Sequence, residues 1–179
     1  MKISEKLENF MAQGKTYYSF EFFPHKTNFG LDNLYSRIDR MASLQPAYID
    51  ITWGAGGSTA DRTLEMSKTI QKYFGLEVMM HLTCTNMSLS SINSVLSDAQ
   101  KNGISNILAL RGDPPEGTEK WEKHEQGFKY GIDLVRFIRR EFGDDFFLGV
   151  GGYPDSHQEQ SDIDPVSYTH LTLPTILLV

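Results

Sequence analysis

Glu21 lies in "SFEFFP", between Phe20 and the pair Phe22 and Phe23. On strand alternation its side chain shares a face with Ser19 and Phe23. A carboxyl surrounded by aromatic rings loses solvation when ionised, which would raise its proton affinity and suit it to general-acid work near neutral pH. The same pattern equally describes a buried acid satisfied by a neighbouring strand. A second group, Arg111, Gly112 and Asp113, directly follows the apolar run "ISNILAL" and precedes two prolines that prevent a helix from starting there. In isolation such a triplet is an ion pair or a loop cap. Placed after a buried strand, the arginine fork can hold phosphate while the aspartate orients a nitrogen-rich ring. His81 closes "VMMH", either as a ligand contact or as a core histidine bonded to backbone. His157 sits in the polar stretch "YPDSHQE", and Tyr130 and Gly131 open a helical pattern in which a tyrosine commonly packs. The five histidines are scattered and none pairs with a second histidine or a carboxylate at helical ligand spacing, so no metal site emerges.

These residues need elements to position them. Five apolar or alternating runs rich in β-formers, "TYYSFEFF", "AYIDITW", "LEVMMHLT", "ISNILAL" and "DFFLGVGGY", read as strands. Helical patterns lie between them. Leu31, Leu34, Ile38, Met41 and Leu44 form one apolar stripe; Ser88 is the expected N-cap of a helix carrying Ile92, Val95, Leu96 and Ala99 and stopping at Gly103. Gly75 and Gly143 end the neighbouring helices. Strand, loop and helix recur at roughly 30 residues, the size of a βαβ unit, which implies a parallel sheet. An open doubly wound sheet and a closed (β/α)8 TIM barrel both accept this pattern. Neither a G-x-G-x-x-G after the first strand nor a Walker A sequence is present, which favours the barrel, with these as its first five units. In either architecture ligands meet the strand C-termini, and there stand Glu21, Thr52, Trp53, His81, Thr83, Arg111, Asp113 and Tyr153.

Composition narrows the class. The 179 residues with 40% hydrophobic content suffice for one core, and a net charge of -6 disfavours a nucleic-acid groove or an anionic membrane surface. The expected partner is a small molecule. Cys84 is the single cysteine, which rules out an intrachain disulfide and suits a reducing, cytoplasmic setting. The N-terminal "MKISEKLENF" lacks a signal-peptide core, and no run approaches the roughly 20 apolar residues of a membrane span. The last stretch, "PVSYTHLTLPTILLV", breaks the period, has no charge and no helical stripe. We therefore divide the chain into a barrel portion, 1–164, and a non-native tail, 165–179.

Taken in order, "SFEFFPHKT", "YIDITWGAGG", "HLTCTN", "NILALRGDPP", "GFKYGIDLV" and "VGGYPDSHQE" resemble the methylenetetrahydrofolate reductase family, in wording closer to its eukaryotic, especially fungal, members. His25 stands where that family commonly has a second proline. The resemblance implies a (β/α)8 barrel that binds FAD and uses NAD(P)H to reduce 5,10-methylenetetrahydrofolate to 5-methyltetrahydrofolate. It further implies Glu21 as the general acid that opens the folate's five-membered ring. Thr52, Trp53, His81, Arg111, Gly112, Asp113, Tyr130, Gly131, Tyr153 and His157 would line FAD. Asp113 would also contact folate, and Glu21, Phe22, Phe23, Pro24, His25 and Lys26 would meet the nicotinamide donor. A homo-oligomer is implied for the full-length enzyme. The family's later strands and contacts have no counterpart here, so a chain of these residues alone is expected to be inactive. Rival readings are another barrel enzyme, such as an aldolase or phosphosugar isomerase, a noncatalytic flavin-binding module, and an interaction fragment.

Overall fold

In a computed structural model, residues 1–25, 27–54, 60–113 and 124–152 are described. The order is α1 (Ile3–Ala12), β1 (Ser19–Phe22), α2 (Asn28–Ala42), β2 (Tyr48–Ile51), α3 (Ala60–Thr69) running into a π-helical turn (Ile70–Phe74), β3 (Val78–Thr83), α4 (Leu89–Lys101), β4 (Asn106–Leu110), α5 (Gly131–Phe142) and β5 (Phe147–Val150). All five strands expected from the sequence are present. They form one sheet in the order β1-β2-β3-β4-β5, and every neighbouring pair is parallel. Sequential parallel order is the order of a (β/α)8 barrel wall, whereas a doubly wound sheet reverses its strand order at a switch point.

Caps and stops follow local chemistry. Ser88 accepts a hydrogen bond from the Ser91 amide at 3.1 Å, as an N-cap should. Thr27 caps α2 in the same way, accepting from the Gly30 amide at 3.1 Å. Gly75 and Gly143 are C-caps. Leu44 corrects the expected stripe of α2, because it lies beyond the helix end and is exposed.

Alternation along the strands separates two faces. On one, Ile49, Ile51, Val78, Met80, Leu82, Ile107, Ala109 and Leu148 meet Leu34, Ile38, Ile70, Ile92, Leu96, Leu134 and Ile138 of the helices in the main core. On the other, Tyr48, Met79 and Leu108 pack with Ile3 and Leu7 of α1. Sequence reasoning assigned no element to α1, although Ile3, Leu7 and Phe10 sit at helical spacing. Its two buried side chains stabilise the fold by about 1.5–3 kcal/mol each.

Asn106 secures this helix. Its Oδ1 accepts the Ile3 amide at 2.7 Å, while Nδ2 donates to the carbonyls of Met1 at 3.2 Å and Val78 at 3.3 Å. The side chain is fully buried, so truncation strands at least one buried donor. Asn106→Ala is expected to destabilise the chain by about 2 kcal/mol in urea titration and to accelerate hydrogen exchange at the Ile3 amide. Unchanged stability with Ile3 still protected would contradict the role given to Asn106.

Candidate functional site

Because all five strands run the same way, their C-termini and the segments that follow share one end of the sheet. Glu21 in β1 and Asp113 just beyond β4 therefore lie at the same end. Glu21 pairs in register with Asp50, which puts the two carboxylates on neighbouring strands and on the same face as His81. One expectation requires correction here: Glu21 is exposed, and among the described residues no aromatic rings enclose it. Phe20 and Phe22 alternate to the opposite face and pack into the helix-side core, and Phe23 is itself 71% exposed. Rings adjacent in sequence are thus not adjacent in space.

Asp50, which sequence reasoning passed over, forms the most buried carboxylate contact among the described residues. Its Oδ1 lies 3.3 Å from His81 Nε2, and the two residues are 8% and 7% exposed. The available signal was register: two polar residues on adjacent apolar strands, both falling on the inner face. Thr52 is buried at the end of β2, its amide bonded to the Phe22 carbonyl at 3.0 Å and its carbonyl accepting from the Thr63 hydroxyl at 2.9 Å. Thr83, next along the His81 face, is buried, and its hydroxyl has no hydrogen-bond partner among the described residues. Trp53 packs in the helix-side core, with an indole Nε1 that is also unpartnered among the described residues.

The Arg111–Asp113 segment is stitched to the end of β3. The Arg111 carbonyl accepts the Thr85 amide at 3.0 Å and the Thr85 hydroxyl at 2.6 Å, and the Cys84 thiol lies at 3.5 Å. Gly112 has φ +88°, and a Cβ there would come 2.7 Å from Thr83 Cβ and 2.9 Å from Thr85 Oγ1. Glycine is thus required by contact with β3 and by its backbone conformation. Gly131 brings α5 against β4: a Cβ would meet the Arg111 amide nitrogen at 3.3 Å and the Ala109 carbonyl oxygen at 3.4 Å. Tyr130 is exposed at the N-cap, where its amide donates to Asp133 Oδ2 at 3.1 Å. Asp113 is exposed and Arg111 half-buried.

Beyond β1, Phe23, Pro24, His25 and Thr27 line an open concavity of about 290 Å³. It coincides with the stretch expected to meet the nicotinamide donor. The His25 carbonyl is held by Arg62 Nη1 at 2.8 Å. Lys26, Tyr153, His157 and the tail 165–179 lie outside the described residues. No helix among the described residues is long and apolar enough to cross a membrane.

A sequential parallel wall with a polar C-terminal rim and an apolar, helix-plugged opposite end defines the class of (β/α)8 barrel proteins. The methylenetetrahydrofolate reductase family model matches residues 6–171, and the chain belongs to that family. It is 49% identical to methylenetetrahydrofolate reductase (NADH) 1 of Arabidopsis thaliana, over 94% of this chain and 29% of that protein. Methylenetetrahydrofolate reductase 1 of Schizosaccharomyces pombe is 48% identical over 97% of this chain and 28% of its own length. The 5,10-methylenetetrahydrofolate reductase of Pectobacterium carotovorum is 40% identical over 82% of this chain and 47% of its own length. The chain therefore spans under a third of the length of these plant and fungal relatives.

Two outcomes follow from this geometry. Gly112→Ala should cost about 2 kcal/mol or more from combined backbone strain and overpacking. Gly14→Ala, also at positive φ but with nothing within 4 Å of its Cβ, isolates the strain alone and should cost less; equal losses in thermal or urea unfolding would remove the Thr83 contact as the cause. Burial pushes the Cys84 thiol from 9.0 up to about 11. The folded thiol keeps its proton where the unfolded one ionises, so its stabilising contribution is complete below pH 9.0 and is lost as pH rises through about 11. An aromatic disulfide reagent at pH 8 should label Cys84 rapidly in urea and only slowly in the native chain; comparable rates would contradict its burial.

Proposed function

We propose that this chain supplies the first part of the flavin and folate site of a methylenetetrahydrofolate reductase, acting in the cytoplasm as part of a homo-oligomer. The reaction is reduction of 5,10-methylenetetrahydrofolate to 5-methyltetrahydrofolate with NAD(P)H. Because the chain spans 29% of the Arabidopsis relative, turnover is proposed for the whole protein. The observation that carries the reading is the alignment, along one end of a parallel sheet, of Glu21, the Asp50–His81 pair, the Thr83 hydroxyl and Asp113. That buried hydroxyl, lacking a partner among the described residues, fits a polar ligand laid across the strand ends.

FAD bound there would supply the electron transfer between reduced nicotinamide and the folate. Thr52, Trp53, His81, Arg111, Gly112, Asp113, Tyr130 and Gly131 would hold and orient it, together with Tyr153 and His157. Arg111 suits a phosphate, and Asp113, exposed at the rim, suits the nitrogen-bearing edge of a ring. Glu21 is reachable from solvent and thus by substrate; it would deliver one proton to a folate ring nitrogen as the five-membered ring opens. The Phe23–Thr27 concavity would receive the donor. The name of the Arabidopsis relative contains NADH, which favours that donor here.

Two measurements test this reading. Titration of the 179-residue chain with FAD should quench flavin fluorescence with saturation. In the whole protein, Glu21→Gln should preserve nicotinamide oxidation with menadione as acceptor and lower folate reduction by at least about a hundredfold. Equal loss of both half-reactions, or retention of both, would overturn the role given to Glu21. Flavin binding without any folate reduction by the wild-type protein would instead indicate a noncatalytic flavin module.

A further inference from the structure

We propose that Asp50 is a positioning residue that fixes the orientation and tautomer of His81, so that the ring presents an unprotonated Nδ1 to a hydroxyl or ring N–H of the ligand. This rests on the flavin reading above for the ligand's identity, but the pair itself stands on geometry. An ionised carboxylate can only accept hydrogen bonds. With Asp50 Oδ1 at 3.3 Å, Nε2 must therefore be the protonated nitrogen of the neutral ring, and the lone pair falls on Nδ1. Among the described residues Nδ1 has no hydrogen-bond partner, and His81 is likewise the only hydrogen-bonding partner of the Asp50 carboxylate. A carboxylate 8% exposed with a single partner depends on that partner to remain charged without a large penalty.

The surroundings explain why a carboxylate–imidazole pair stands here. Beside it the same sheet face is apolar: Met79 is in register with Asp50 and Leu108 with His81, and both pack with Ile3 and Leu7. Above it come Thr83, with its unpartnered hydroxyl, and the Arg111–Asp113 segment. Asp50 and His81 thus form the floor of the polar end. From β2, Asp50 has Glu21 as register neighbour on one side and Met79 on the other, neither of which offers a donor; His81, two residues beyond Met79 on β3 and on the same face, supplies it. His81 in turn is anchored by Asp50, and Thr83 follows it on the same face toward the strand ends, where a ligand would lie.

The test uses the 179-residue chain labelled with ¹⁵N-histidine. In the wild type, ring ¹⁵N shifts at the high-pH plateau should place the proton of His81 on Nε2, with a slowly exchanging Hε2; a proton on Nδ1 overturns the proposal whether or not any ligand binds. Asp50→Ala and His81→Ala should each weaken FAD binding about tenfold, and the double variant no further, because Asp50 acts through His81. Additive losses would assign Asp50 a separate role and overturn it. Asp50→Asn keeps an acceptor oxygen of the same shape and should restore affinity to within about threefold. Should Asp50→Ala not fold, the wild-type tautomer and the Asp50→Asn affinity decide. If the wild-type chain binds no FAD while Nε2 carries the proton, the flavin reading fails and the positioning of His81 stands.

Discussion

The two-residue period of a parallel strand is the constraint from which the other features of this molecule descend. Each strand must send alternate side chains to opposite faces, and the helices that return the chain cover only one of them. That face can be uniformly apolar, and it is. The other must be filled by something else: at one end by α1, and toward the opposite end by polar side chains such as the Asp50–His81 pair. The division of the inner face into an apolar floor and a polar rim is what makes a site possible.

The Asp50–His81 pair stands at that boundary. Burying a carboxylate is costly unless a donor meets it, and a sheet face with β2 and β3 in register delivers one without any loop rearrangement. Above the boundary, rigidity comes from backbone contacts and not from long side chains. The Arg111 carbonyl is doubly bonded to Thr85, Gly112 sits against Thr83 and Thr85, and Gly131 lets α5 press on the end of β4. Arg111 and Asp113 are thereby held on a short, braced segment.

Much of this was legible before any coordinates. The five strands, the N-cap at Ser88 and the helix stops at Gly75 and Gly143 follow from local rules, because caps and alternation depend on near neighbours in the chain. The six ordered motifs led to the same family that the profile match identifies over residues 6–171. What escaped was long-range. Helix α1 has a short stripe that gains meaning only from the sheet face it plugs, and Asn106 looks unremarkable until its side chain is seen bonding Ile3 and Val78. The enclosure expected around Glu21 failed for a related reason. Its aromatic neighbours in sequence are directed by alternation into the other core.

By itself the sequence determined the five strands and the helices between them, their parallel βα order and the family, since each is encoded in patterns of a few to about thirty residues. Only the tertiary structure decided which polar groups meet. The contact of Asp50 with His81, the exposure of Glu21 and the reason for Gly112 all depend on the register between strands distant in the chain. Register is set by the sum of many side-chain packings across the sheet, and no single segment carries that sum.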